Sequence, residues 1–171
     1  PYAEQALGLA LDSGTLDALA DCSKDATATD CVTTQATQLI GGNHATVLAQ
    51  YRASKDAALD FGLASPQYAG TLATLDKAVG TLLAATAKRA NERWLVVISG
   101  NHGLSDNSQD DGLPLVPESS TFIGLNQPAN VAAQGIGAAV PQTLAELYGY
   151  ASIADVAPTV LGHLKALPDA K

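Results

Sequence analysis

Apolar residues recur at helical spacing in several stretches of this chain. Ala6, Leu7, Ala10 and Leu11 share one face of a helix predicted over residues 3–11, which Asp12-Ser13-Gly14 breaks. Residues 15–20 read as a further short helical turn. Val32, Ala36 and Leu39 mark another helix, which Asp30 is placed to cap and Gly41-Gly42 to end. The clearest helix begins at Ser65-Pro66: the serine caps, and the proline stands where its missing N–H costs nothing. Its apolar stripe is Leu72, Leu75, Val79, Leu82 and Leu83. A terminal helix over 153–164 carries Val156, Val160, Leu161 and Leu164 on one side, with Pro158 kinking it or limiting its regular part.

Strand patterns fall between these helices. Residues 45–51 form a short apolar run that suits a buried strand, followed by a polar loop over 52–64. The run 94–99, WLVVIS, is apolar throughout and β-branched, as expected of a strand covered on both faces. Residues 121–125 are a third strand candidate. Strand and helix alternate from Ala45 onward, which predicts an α/β fold with a parallel-rich sheet flanked by helices. No repeat and no boundary divides the chain, so residues 1–171 read as a single α/β module.

Composition narrows the function classes. The length of 171 residues allows one domain with a core, and 47 % apolar residues argue for folding. No run approaches the roughly 20 apolar residues that span a bilayer. Nine basic residues against 17 acidic ones give a net charge of −8, which excludes nucleic-acid binding through phosphates. A phosphate-bearing substrate stays open, because a bound metal outweighs nearby carboxylates. Cys22 and Cys31 are the two cysteines and flank a polar stretch. A disulfide closing this loop is the simplest reading and implies an oxidising compartment, secreted or periplasmic. Two free thiols are the alternative; a metal pair lacks further ligands nearby. The chain begins at Pro1 and contains no Met, which fits a piece of a longer precursor.

The chemistry is expected in loops beyond strand ends, where open α/β sheets bind ligands. One such loop is 52–64. The other runs from Gly100 to Gly112, GNHGLSDNSQDDG, and places Asn101-His102 between glycines directly after the best strand. Within it, residues 106–112 set side-chain oxygens at alternate positions, as calcium loops do, but without the glycine and glutamate of an EF-hand. A solvated acidic loop is the plainer reading. His44, in Gly42-Asn43-His44, suits a surface or capping role, and His163 suits packing or exposure on the last helix. No Gly-x-Ser-x-Gly elbow and no phosphate-binding glycine motif occurs after a strand.

Four segments in order resemble the alkaline phosphatase superfamily, in particular its type I phosphodiesterase, nucleotide pyrophosphatase and sulfatase-like branches. Ser99-Gly100-Asn101-His102-Gly103 resembles the strand-end Ser/Ala-Asp-His-Gly. SKDAALDFG, residues 54–62, is similar to the loop that reads Asp-x-x-Gly-His-x-x-Gly. SPQYAGTLATLDKAVGTLL, residues 65–83, is similar to the helix with Leu-Asp-x-x-x-Gly-x-Leu. IADVAPTVLGHL, residues 153–164, is similar to the closing Asp-x-x-Pro-Thr-x-Leu helix. The resemblance covers about Asp30 to Leu164 and implies a phosphate- or sulfate-ester hydrolase fold that uses two divalent metals and a Thr or Ser nucleophile.

Carried over residue by residue, the resemblance implies a degenerate metal set. Asp56 matches the metal-binding Asp of the first loop, and Asp60 falls near the place of its His. His102 matches, but Asn101 replaces the strand-end Asp and removes a formal charge from the metal shell. No histidine lies between His102 and His163 to act as the distal ligand. The family's nucleophile comes from a segment N-terminal to these motifs. The resemblance therefore implies a module that is catalytically inactive alone and used for structure or binding, holding at most one divalent cation, calcium or zinc. The alternative is the C-terminal part of a metal-dependent ester hydrolase completed elsewhere. Either way the sheet is expected to be incomplete. A second chain, a preceding segment or self-association would cover its edge.

Overall fold

The structure, a computed structural model, describes residues 2–105, 115–128, 142–147 and 149–166. Its contacts gather into two compact units, residues 1–92 and 93–171.

The first unit is helical. Helix α1, Tyr2–Asp12, matches the sequence expectation. It ends as Gly14 N–H bonds to Leu11 O at 3.0 Å and Thr15 N–H reaches back to Ala10 O at 2.8 Å, which satisfies two terminal carbonyls. Residues 15–20 form no helical turn, contrary to the pattern reading. Two aspartates organise the next stretch as side-chain turns. Asp21 Oδ1 accepts from Ser23 N–H, and Asp25 Oδ1 accepts from both the N–H and the hydroxyl of Thr27. Between them the Cys22–Cys31 disulfide is formed, with the half-cystine Cys22 buried. It anchors the first turn of α2, Ala28–Gly41. Thr27, not Asp30, is the N-cap residue; Asp30 lies in the first turn, where its charge complements the helix dipole.

Residues 45–51 are not a strand. They alternate in exposure, with Leu48 87 % exposed, and find no strand partner among the described residues. An extended segment without a neighbour to bond makes no ladder. Residues 53–61, read from sequence as loop, form helix α3, Ala53–Phe61. Its buried face is Ala57 and Ala58, too small to register as an apolar stripe. Gly62, at φ 85°, ends it in a conformation that suits glycine. Helix α4, Pro66–Ala87, starts as its sequence predicts: Ser65 Oγ accepts from Tyr68 N–H at 3.1 Å, and Pro66 opens the helix. Over 22 residues it runs about 33 Å, and α2 and α3 both pack on it. Leu75, Ala78, Val79 and Leu82 face these neighbours, while Leu72 and Leu83 at the stripe's margins stay exposed. Arg89 donates to Gly41 O at 2.8 Å and tethers the far end of α4 to the end of α2.

The second unit contains strands β1, Val97–Ser99, and β2, Ile123–Leu125. They pair antiparallel, Ile98 opposite Gly124, so the parallel-rich sheet expected from the alternation is not what the described residues form. Within them, β1 has one strand neighbour and is half-buried, not sandwiched. Side chains finish the ladder: Asn126 Oδ1 accepts from Val96 N–H, and the amides of Asn126 and Gln127 both donate to Trp94 O. A short helix, α5 (Val116–Ser119), lies between the two strands, and another, α6 (Leu144–Leu147), follows β2. The expected last helix is a 3-10 turn, Ile153–Asp155, leading into α7, Val156–His163. Ser152 and Asp155 form a reciprocal capping box at its start. Pro158 falls within the first turn of α7, where no intrahelical N–H bond is lost.

Three outcomes follow for stability. Replacing both cysteines by serine should lower the stability of the first unit by about 2–3 kcal/mol, the value for a loop of this length, read by urea denaturation. Ser65→Ala should cost about 1 kcal/mol in the same measurement, and Ser65→Asp much less. Hydrogen bonds from Ser23 and Thr27 lower the carboxyl pKa values of Asp21 and Asp25 below 3.8. The contribution of each turn is therefore complete above the unfolded-state pKa and is lost as pH falls through the folded one. The Ser23 and Thr27 amides should shift in NMR spectra with midpoints below 3.8; midpoints at or above it would refute the turns.

Candidate functional site

The residues singled out from sequence lie in both units. Asp56 and Asp60 belong to α3, four residues apart, and therefore share one exposed face of a helix. Asp56 is engaged already: Arg52 Nη2 lies 3.3 Å from its Oδ1, one turn earlier on the same helix. The predicted loop would have carried these carboxylates flexibly; the helix fixes their spacing instead.

Asn101 and His102 follow β1 directly. Asn101 is exposed and His102 half-buried. His102 Nδ1 lies 2.7 Å from the carbonyl oxygen of Gly103. A carbonyl only accepts, so this bond puts the ring hydrogen on Nδ1 and makes Nε2 the basic nitrogen. Both glycines flanking the pair are closely packed, and at Gly103 the neighbours are backbone atoms that cannot give way. A Cβ on Gly100 would run into the Thr121 hydroxyl, and one on Gly103 into the carbonyl oxygens of Pro117 and Ser120. The segment 100–103 thus lies against α5 and the residues after it, closer than any side chain would allow. Gly103 N–H donates to Glu118 O at 2.9 Å, and Ser105 Oγ donates to Glu118 Oε1 at 2.8 Å.

Glu118 is the residue that sequence reasoning missed. It is only 2 % exposed, yet it stands in the polar run Pro117-Glu118-Ser119-Ser120, which carries no signal of burial. The possible calcium loop at 106–112 lies outside the described residues. His44 sits 3.9 Å from the Asp17 carboxylate, near the surface. His163, expected to pack or face solvent, bonds to the backbone of Arg93 through Nε2 at 2.8 Å. A surface depression at the end of α4 is lined by Lys88, Arg89, Ala90, Asn91 and Glu92. Its guanidinium already serves Gly41 O and the Glu92 carboxylate, whose hydrogen bond raises the Arg89 pKa. That cation therefore works in structure.

The metal chemistry implied by the resemblance can be tested against these donors. Within either unit, the described residues bring no three His, Cys, Asp or Glu side chains together for a metal ion. Asp56 with Asp60 supplies two donors, and Asn101 with His102 two more. Neither pair alone reaches the three protein ligands of a catalytic zinc site.

Comparison with known proteins places these elements in a family. The model of the type I phosphodiesterase / nucleotide pyrophosphatase family matches residues 14–139. No curated protein and no solved structure gives a significant match. The matched span runs from the end of α1 past β2. It includes the disulfide, α3 with its two aspartates, and the Asn101-His102 pair, and it stops before the 153–164 segment. Well over half of the chain is covered, and it belongs to the type I phosphodiesterase / nucleotide pyrophosphatase family.

Proposed function

We propose that this chain is a phosphodiesterase-family module that serves binding or structure and does not turn over substrate alone. The observation that carries this reading is Asn101, exposed at the end of β1 in the place of the strand-end aspartate. A neutral amide brings no charge to a divalent ion, and zinc sites are built from Cys, His, Asp and Glu. Calcium accepts amide oxygens together with carboxylates. This reading has room for at most one divalent cation, calcium or zinc, either on Asp56 and Asp60 of the first unit or on Asn101 and His102 of the second. A secreted or periplasmic location accompanies it, since the Cys22–Cys31 bond persists in an oxidising compartment.

A second reading is the C-terminal part of a metal-dependent phosphoric or sulfuric ester hydrolase, completed by a preceding segment, another chain or a second copy. The geometry of His102 favours it. Metal-ligating histidines characteristically donate the other ring N–H to a carbonyl or carboxylate, as Nδ1 does here to Gly103. Large apolar side chains left exposed, Leu59 and Phe61 on α3 among them, support a covering partner.

Metal analysis of the purified chain, paired with hydrolysis of an aryl phosphodiester, separates the two. The expected result is no retained zinc and no hydrolysis above the buffer rate. Asn101→Asp should then raise divalent-cation affinity by about tenfold or more, given that even outer-shell partners are worth about 10–100-fold. Zinc retention with turnover by the unaltered chain would overturn the first reading in favour of the second.

A further inference from the structure

Among the described residues of the second unit, the one buried side chain is a carboxylate, Glu118. The least exposed position of a folded unit ordinarily goes to an aliphatic residue, because removing a carboxylate from water costs free energy that only good hydrogen bonds offset. Here the buried group faces the strand-end segment. One carboxylate oxygen takes the Ser105 hydroxyl hydrogen, and the backbone oxygen of the same residue takes Gly103 N–H. Glu118 therefore grips the chain at two points, 103 and 105, immediately after His102. The carbonyl that receives His102 Nδ1–H belongs to the next peptide unit, between residues 103 and 104, which lies between these two points of attachment.

We propose that Glu118 is the positioning residue for His102: by holding Gly103 and Ser105 it aims the Gly103 carbonyl at Nδ1 and so fixes the ring with Nε2 as its basic nitrogen. This rests on reading His102 as the retained member of the family's strand-end pair, and it assigns the tautomer to a carboxylate outside every motif that resembles the family. The two-point grip explains why the contact is this tight. The carbonyl oxygens of Pro117 and Ser120 occupy the space a side chain at 103 would need, so α5 can seat against the segment only where residue 103 is glycine. A buried carboxyl group that accepts from a hydroxyl favours one arrangement, whereas an apolar residue at 118 would tolerate several.

The test reads the ring directly and requires neither metal nor turnover. The chain has three histidines, so 15N-histidine labelling resolves His102 from His44 and His163, which report on folding. At about pH 8, above the ordinary histidine range, long-range 1H–15N spectra distinguish an Nδ1–H ring from an Nε2–H ring. The unaltered chain should show His102 with hydrogen on Nδ1. Glu118→Met should move the His102 nitrogens toward averaged or exchanged values while His163 keeps its signals. Glu118→Gln, which retains an acceptor for Ser105, should restore the native pattern. If Glu118→Met fails to fold, Ser105→Ala removes the hydroxyl alone and should produce a shift in the same direction. An unaltered chain with hydrogen on Nε2, or a His102 pattern unchanged in both Glu118→Met and Ser105→Ala, would overturn the proposal. Neither result would bear on whether the chain hydrolyses esters, since that assay is read separately.

Discussion

The first unit depends on how closely two helices can approach a third. Helices α2 and α3 both pack on α4, and apart from Ile40 on α2 the buried side chains are small: Ala36 on α2, Ala57 and Ala58 on α3, Ala78 on α4. Small residues let helix backbones come near each other, but each buries little apolar area, at about 25 cal/mol per Å². Covalent and polar fasteners stand where such packing is thin. The disulfide fixes the entry to α2, Ser65 fixes the start of α4, and Arg89 bonds the end of α2 from just beyond α4. The two carboxylates of α3 keep their spacing because Ala57 and Ala58 hold the helix in place.

The second unit is organised by polar bonds to a greater degree. Among the described residues its strands β1 and β2 are three residues each, and the Asn126 and Gln127 side chains extend the ladder. The buried residue among them is a glutamate. Only the second unit places a histidine at a strand end. That histidine is set by the bond its ring makes to Gly103 and by the glycine-lined fit of 100–103 against 117–121.

Local chemistry was legible in the sequence where a single residue decides a helix boundary. Ser65-Pro66 and the Cys22–Cys31 loop are of that kind; Gly62, which ends α3, and Asp155, which completes a capping box, were not read as boundaries. Strand partnership was not legible. WLVVIS reads as a strand in any context, but the direction of its neighbour depends on residues some 25 positions away, and 45–51 reads as a strand although it has no strand partner among the described residues. Helix α3 was hidden for the opposite reason: alanines form its buried face, and the pattern around them looks polar. At the site, Asn101 and His102 stood out because glycines flank them after an apolar run. Glu118 was invisible, since a lone glutamate among serines and a proline is the usual appearance of a surface turn.

The hydrogen bond between His163 and the Arg93 backbone spans 70 positions, and it separates the two units in time as well as in connectivity. Everything the first unit needs has left the ribosome once its last residue, 92, clears the exit tunnel. The second unit opens with its most apolar segment, and β1 then has to wait for β2, and the chain at Arg93 for α7, before these contacts can close. At about 5–20 residues per second, that leaves WLVVIS without its partner strand for seconds during synthesis. A nascent chain of this design runs its aggregation risk between the emergence of β1 and that of β2, and chaperones would have most to do there.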